Sequence, residues 1–133
     1  MLVYLDTAII VYFVEQTPIY GPRATAHIAR LRASRTTFAI TDLCALECLV
    51  IPFRRRDAKV IGDFQAFFTA TDVIKLPIST AVYERATQIR ADLNYKLPDV
   101  LHLAAAMEGR CDRFLTNDLR LNRYTDIPID VLP

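Results

Sequence analysis

Four acidic residues occupy positions from which they could act together on one substrate. Asp6 follows the apolar run Leu2–Leu5, and Asp118 follows the run Phe114–Asn117. Glu47 and Asp99 lie in apolar helical segments. Carboxylates that converge on one place repel one another, which raises the pKa of some of them unless divalent cations lie among them. Oxygen ligands suit Mg²⁺ or Mn²⁺, and such ions are the usual apparatus for phosphodiester hydrolysis.

The elements that must position these acids alternate between short apolar runs and longer helical patterns. The expected strands are Leu2–Leu5, Phe38–Thr41, Val73–Leu76, Arg113–Thr116 and Ile129–Leu132. The expected helices are Ala8–Glu15, Arg23–Ala33, Leu43–Phe53, Ala58–Ala70, Thr80–Leu93 and Pro98–Glu108, with a short turn near Leu119–Arg123. This alternation predicts one α/β domain over residues 1–133, with a mostly parallel sheet of about five strands and helices on both faces. Functional groups collect at the carboxyl ends of such strands, where Asp6 and Asp118 are expected.

Glu47 interrupts an apolar stripe in its helical segment. The stripe consists of Leu43, Leu46, Val50 and Phe53, at steps of three and four residues. Glu47 lies four residues after Leu43 and three before Val50. The periodicity therefore predicts that it faces the sheet. A buried carboxylate is costly unless it meets a cation, so the alternative to a metal-binding role is an ion pair with a buried arginine.

The other acids also have structural interpretations. Asp42 stands where a helix begins and is expected to cap it, and Asp118 could cap the turn that follows it. Asp99 follows Pro98 in a first helical turn, where a carboxylate is favoured by the helix dipole. The helix it opens is apolar nearly all round, so we expect Asp99 to face inward at the sheet edge. His102, one turn further on, could share a metal with Asp99, but a satisfied core histidine is the favoured interpretation.

Composition excludes several classes of protein. Net charge is +1, so any attraction for nucleic acid must be local, and Arg54, Arg55 and Arg56 form the one dense basic run. Three glycines are too few for a Gly-rich phosphate loop. Three cysteines without CxxC spacing disfavour zinc and disulfides and suit a reducing cytoplasm. No apolar run reaches the ~20 residues of a membrane-spanning helix, and no signal peptide is expected.

Hydrophobic residues make up 53% of the chain, which is high for a soluble protein of 133 residues. Such an excess indicates an apolar surface for a partner in addition to the core. Phe53, Phe64, Phe67 and Phe68 are candidates for that surface, and the alternative for each is a place in the core.

Four segments resemble the PIN-domain ribonucleases, and among them the VapC-type toxins of bacterial toxin–antitoxin pairs. VYLDTAIIVYF is similar to the opening strand of that family and carries Asp6, and ITDLCALECLVIPFRR carries Glu47. LPDVLHLAAAM carries Asp99 and DRFLTNDLRL carries Asp118. The resemblance spans essentially the whole chain. It departs from the family at Val100, where alanine is more usual.

This resemblance implies a three-layer α/β/α fold and a metal-dependent endoribonuclease that uses Mg²⁺ or Mn²⁺. Asp6 and Asp99 would be the principal metal ligands, Asp118 and Glu47 would complete the site directly or through water, and nearby threonine hydroxyls (Thr7, Thr116) would orient the carboxylates. The implied substrate is structured RNA such as tRNA or ribosomal RNA, cut to leave 5′-phosphate and 3′-hydroxyl ends. The implied partners are a VapB-type antitoxin and a second copy of the chain.

Two other functions are weighed against this one. An Asp-Thr after a first strand also suits aspartyl-phosphate chemistry, but Ala8 stands where dehalogenase-like phosphatases need a second aspartate. Receiver-like domains need a late strand-end lysine, and no lysine follows Lys96. The non-enzymatic alternative is a catalytically weak PIN-like module that binds RNA or a partner.

Overall fold

Five parallel strands form the centre of the molecule in a computed structural model that describes residues 1–133. In chain order they are β1 (Leu2–Leu5), β2 (Thr37–Ile40), β3 (Val73–Lys75), β4 (Arg113–Thr116) and β5 (Ile129–Val131). Their order across the sheet is β3-β2-β1-β4-β5, and every neighbouring pair is parallel. Tyr4 on β1 is aligned with Ala39 on one side and with Phe114 on the other. The first strand is therefore the central one.

Helices cover both faces of this sheet. They are α1 (Thr7–Glu15), α2 (Tyr20–Ala33), α3 (Asp42–Arg54), α4 (Ala58–Phe68), α5 (Thr80–Leu93) and α6 (Leu97–Glu108), with a short 3₁₀ helix at Leu119–Arg123. The chain passes from β1 outward to β3 and then returns to β4. Because parallel crossovers are right-handed, the outward and return passages lie on opposite faces. The α/β class, the parallel five-stranded sheet and the three layers predicted from the sequence are confirmed.

The buried hydrophobic side chains form one cluster around β1. Val3, Tyr4 and Leu5 are all buried although successive strand residues point to opposite faces, which shows that both faces are covered. No helix in the chain has both the length and the apolar character that crossing a bilayer requires.

The predicted elements all exist, and their ends differ by a few residues at most. The largest difference is at α2, which begins at Tyr20 rather than Arg23. Gly21 permits this earlier start, because a Cβ atom there would lie 2.7 Å from the backbone carbon of Gln16. Pro22 also suits a first helical turn.

The predicted buried stripe of α3 is wrong. Cys44, Cys48 and Pro52 form the buried face, whereas Leu46 and Phe53 are 60% and 57% exposed. Leu46 is two residues from both Cys44 and Cys48, and a step of two residues is about 200° around a helix. The face predicted to be buried therefore points away from the sheet. Glu47 lies at the border of the buried face and is half-buried.

The four candidate phenylalanines divide between core and surface. Phe64 and Phe67 are buried in the core, and Phe68 is partly buried against it. Phe53 is exposed and remains available to a partner.

Candidate active site

Asp6 lies at the point where the order in which strands are added to the sheet reverses. The chain leaves β1 toward β2 and leaves β4 toward β5, so the carboxyl ends of β1 and β4 mark the switch point, which is the usual place for ligands in open parallel sheets. Asp6 Oδ1 accepts a hydrogen bond from the Thr7 amide at 2.9 Å and caps α1. Oδ2 accepts one from the Thr116 hydroxyl, at the end of the neighbouring strand β4, at 2.7 Å. The carboxylate is therefore held in one orientation by two strand ends.

Thr116 also connects Asp6 with Asp118. Its hydroxyl oxygen accepts a hydrogen bond from the Asp118 amide at 3.0 Å while it donates to Asp6. Thr116 is fully buried, so this arrangement is shielded from water. The resemblance implied that this threonine orients the carboxylates without saying which one, and in the structure it contacts Asp6.

Glu47 is attached to the same site from α3. Its Oε1 accepts hydrogen bonds from the Thr7 hydroxyl at 2.8 Å and from His102 Nε2 at 2.7 Å. Burial alone would raise the pKa of Glu47, but the hydrogen bonds from His102 and Thr7 lower it below the usual value. The sequence-based alternative of a buried arginine partner is wrong, because the cationic partner is His102.

His102 is a satisfied core histidine, as favoured from the sequence. It is 2% exposed, and its Nδ1 lies 2.7 Å from the Tyr4 hydroxyl, which itself lies 3.1 Å from the Thr41 hydroxyl. Burial alone would lower the pKa of His102, but hydrogen bonds with Cys44 and Glu47 outweigh it and raise the pKa to about 10. His102 is therefore protonated at neutral pH and forms an ion pair with Glu47.

Asp99 has no partner in the protein, in contrast to Glu47. It lies half-buried in the first turn of α6, and its carboxylate makes no hydrogen bond and no ion pair with the protein. Burial raises its pKa first, and the negative charges of Asp6 and Asp118 raise it further. The positive charges of His102 and Arg120 lower it by less, so the net effect is a raised pKa for an acid that has no hydrogen-bond or ion-pair partner of its own.

Asp118 caps the 3₁₀ helix and is paired with a cation. Its Oδ1 accepts a hydrogen bond from the Arg120 amide at 3.0 Å, and the Arg120 guanidinium contacts its Oδ2 at 2.6 Å. These hydrogen bonds lower the pKa of Asp118. The capping interpretation is confirmed, and the acid also shares the edge with Asp6 and Asp99.

Asp42 lies outside the site. Thr41 is the residue that precedes α3, and its side chain makes no capping hydrogen bond. Asp42 is the first residue of the helix and pairs with Lys75 at 3.0 Å. The predicted capping role of Asp42 is therefore wrong.

The acids suit an ion such as Mg²⁺, which needs few protein ligands, better than an ion that must be enclosed by protein ligands alone. No group of three or more His, Cys, Asp or Glu side chains is arranged to hold one ion. Mg²⁺ needs less, because it commonly binds through one or two carboxylates and keeps several waters. Asp6 and Asp99 offer oxygen ligands, and the unpaired charge of Asp99 fits a cation. Oε1 of Glu47 and the carboxylate of Asp118 are engaged by His102 and Arg120.

The cations around the site are not predictable from the sequence. Lys96 and Arg120 act on the carboxylates electrostatically, and Arg123 lines the same cavity as Asp99. They are separated along the chain and form no basic run, so only their positions beside Asp99 and Asp118 could have indicated them. The sequence predicts Tyr4 only as a strand residue, whereas in the structure its hydroxyl orients His102.

Comparisons with known proteins agree with this architecture. The family model described as the PIN domain matches residues 3–127. The fold is similar to VapBC2 from Rickettsia felis bound to a promoter DNA fragment, with a TM-score of 0.82, 16% identity and full coverage of both chains. It is similar to DNA-bound VapBC from Salmonella typhimurium, with a TM-score of 0.74, 17% identity and full coverage of both chains.

A third structure with this fold is a toxin whose description names the RNA that it cleaves. Mycobacterium tuberculosis VapC20, described as a sarcin-ricin loop cleaving toxin, has a TM-score of 0.67 and 15% identity, over 84% of this chain and 86% of that chain. No curated protein sequence gives a significant match. At these identities the solved structures show a shared fold.

Proposed function

The chain belongs to the PIN domain family, and we propose that it is a Mg²⁺- or Mn²⁺-dependent endoribonuclease that acts as the toxin of a type II, VapBC-like toxin–antitoxin pair. One observation carries the proposal. Asp99 is half-buried and unpaired, and its pKa is raised first by burial and then by the negative charges of Asp6 and Asp118. A folded protein that keeps such repulsion has a use for the cation that would relieve it.

Asp6 and Asp99 are the residues that would hold the metal, and Asp118 and Glu47 would contribute directly or through water. When bound there, the ion would lower the pKa of a water molecule and offset negative charge on the phosphodiester. Thr116 and Thr7 hold Asp6 and Glu47 in place, which favours a site whose ligands need little reorganisation. Glu47 stays ionised next to His102, so its second oxygen can accept a hydrogen bond from water.

The proposed substrate is structured RNA, either ribosomal RNA or tRNA, cut to leave 5′-phosphate and 3′-hydroxyl ends. The similar fold of a toxin described as cleaving the sarcin-ricin loop supports the choice of RNA. The catalytic unit would be one domain over residues 1–133.

The proposed partners are a VapB-type antitoxin and a second copy of the chain. VapBC complexes with the same fold support the first of these. Leu46, Val50 and Phe53 form an exposed apolar row on α3, which a lone chain leaves in contact with water. All three cysteines are free, which supports a reducing compartment such as the cytoplasm.

Expression of the chain in a bacterial host tests the function. We expect growth arrest and new RNA fragments with discrete 5′-phosphate ends. Asp6→Asn should abolish both, whereas Glu84→Gln, which neutralises an exposed acid without a hydrogen-bond partner, should retain them. Unchanged RNA in arrested cells would instead support the alternative, a catalytically weak PIN-like module that binds RNA or a partner.

A further inference from the structure

A basic cleft borders the acidic edge. We propose that this cleft, lined by Lys96, Arg120 and Arg123, binds backbone phosphates of the RNA strand next to the bond that is cut. The inference rests on the proposed function, because it assigns part of the substrate to a surface beside the metal ligands.

The cleft lies between the start of α6 and the 3₁₀ helix. It is a cavity of about 510 Å³ whose wall includes Asp99 along with the three cations. A phosphate bound in this cavity would therefore lie beside a proposed metal ligand. Phosphate contacts of this kind fix the register of a nucleic acid without reading its sequence.

Two of the three cations are free to bind an anion. Neither Lys96 nor Arg123 forms an ion pair or a side-chain hydrogen bond with the protein, and both are exposed. The Arg123 guanidinium lies 5.8 Å from the centre of the Tyr95 ring. The Tyr95 hydroxyl donates a hydrogen bond to the Arg120 carbonyl oxygen at 2.6 Å. Tyr95 is buried, so it ties the 3₁₀ helix that carries both arginines to the connection between α5 and α6.

Arg120 can exchange one anion for another. Its side chain is 69% exposed, and its present partner is the Asp118 carboxylate. Exposed ion pairs contribute about 0–1 kcal/mol, so a phosphate can compete for the guanidinium fork. Transfer of Arg120 to a phosphate would release Asp118 to the acidic edge. Substrate binding and completion of the acidic site would then be coupled through one side chain.

The dense basic run does not reach this place. Helix α3 begins at the carboxyl edge of the sheet and is 13 residues long. At 1.5 Å per residue the helix is about 20 Å long, so its last turn is separated by that axial length from its first turn at the edge. Arg54, Arg55 and Arg56 are exposed at this far end, which makes them a charge-matched control.

The test compares two triple neutralisations with the same change in charge. Lys96→Gln/Arg120→Gln/Arg123→Gln removes the cleft cations, and Arg54→Gln/Arg55→Gln/Arg56→Gln removes the distal ones. Binding of a short fluorescein-labelled single-stranded RNA is measured by anisotropy in EDTA at several KCl concentrations. For the cleft variant we expect binding weakened roughly tenfold or more at low salt, and a slope of log K against log salt reduced by about 2. For the distal variant we expect less than a twofold change.

The single substitution Lys96→Gln is a control for misfolding of the triple variant. It should not disturb the fold, because Lys96 is exposed and makes no side-chain hydrogen bond. It should weaken binding severalfold and reduce the salt slope by about 0.7 with an unchanged melting temperature. Equal losses in the two triple variants, no loss in the cleft variant, or no RNA binding by the parent protein would overturn the proposal. Cleavage with Mg²⁺ is scored separately: a parent protein that binds RNA through the cleft but never cuts it contradicts the nuclease and leaves the cleft standing.

Discussion

His102 Nε2 lies 2.7 Å from Glu47 Oε1, and this contact joins α6 to α3 beneath the acidic edge. The other ring nitrogen, Nδ1, lies 2.7 Å from the Tyr4 hydroxyl on β1. One buried imidazole thus links the central strand to helices from different parts of the chain. It also leaves the second oxygen of Glu47 free for the site.

Replacing His102 with leucine should destabilise the protein. The change removes one of the hydrogen-bond partners of the Tyr4 hydroxyl and the only cationic partner of the half-buried Glu47 carboxylate, so we expect a loss of about 2 kcal/mol in the free energy of unfolding. His27→Leu, at the other histidine, should change it by less than about 0.5 kcal/mol. Urea denaturation measures both. Additive effects of His102→Leu and Glu47→Gln in a double-mutant cycle would show that the two residues do not interact.

The protonated state of His102 predicts a dependence of stability on pH. Its pKa is raised to about 10 in the folded state and is about 6.5 in the unfolded chain. The stabilisation is therefore fully present below about pH 6.5 and is lost as the pH rises toward 10. The difference in unfolding free energy between the wild type and His102→Leu should shrink by roughly 1 kcal/mol per pH unit from pH 6.5 to 8.5. A difference that does not vary with pH would mean that the imidazole is neutral.

Two buried threonines should respond differently to the same substitution. Thr116→Val removes the hydrogen bond to Asp6 and the acceptor of the Asp118 amide, which should cost about 1–3 kcal/mol. It should also weaken Mg²⁺ binding, measured by calorimetry, roughly tenfold. Thr36 is equally buried, but its hydroxyl has no partner. Thr36→Val should therefore leave stability unchanged or raise it. Destabilisation by both substitutions would show that a packing change, and not the hydrogen bond, is responsible.

Neutralising Asp99 should stabilise the metal-free protein while removing its response to metal. Folding raises the pKa of Asp99, so the ionised form opposes folding at neutral pH. Asp99→Asn should raise the melting temperature in EDTA by roughly 2 °C. Mg²⁺ should stabilise the wild type in a concentration-dependent way and leave Asp99→Asn unaffected. A lower melting temperature in EDTA for Asp99→Asn would contradict the repulsion.

The sequence predicts the positions of Asp6 and Asp118 because strand ends follow from short apolar runs. In a parallel sheet the carboxyl ends of the strands lie along one edge, which puts these two acids on the same edge. Their contact with one threonine also depends on β1 lying next to β4, an order that the sequence does not predict. The same reasoning fails on α3. There the leucine and phenylalanine side chains look more apolar than the cysteines, yet Cys44 and Cys48 face the core.

The partners of the acids are harder to predict than the acids themselves. Glu47 and His102 are 55 residues apart in the chain, and their contact depends on how α3 and α6 pack around Tyr4. Arg120 is only two residues from Asp118, but the sequence does not show which anion its exposed side chain contacts. Side-chain pairing of this kind is determined by tertiary packing, for which a single sequence carries no direct pattern.

Cleavage of RNA by the purified chain as a function of Mg²⁺ concentration tests the central claim most directly. We predict that the wild type and Glu84→Gln cut RNA to 5′-phosphate ends in Mg²⁺ and lose this activity in EDTA. We also predict that Asp6→Asn and Asp99→Asn are inactive at every Mg²⁺ concentration while remaining folded. Cleavage by Asp6→Asn and Asp99→Asn at the rate of the wild type, or undiminished cleavage by the wild type in EDTA, would contradict that claim.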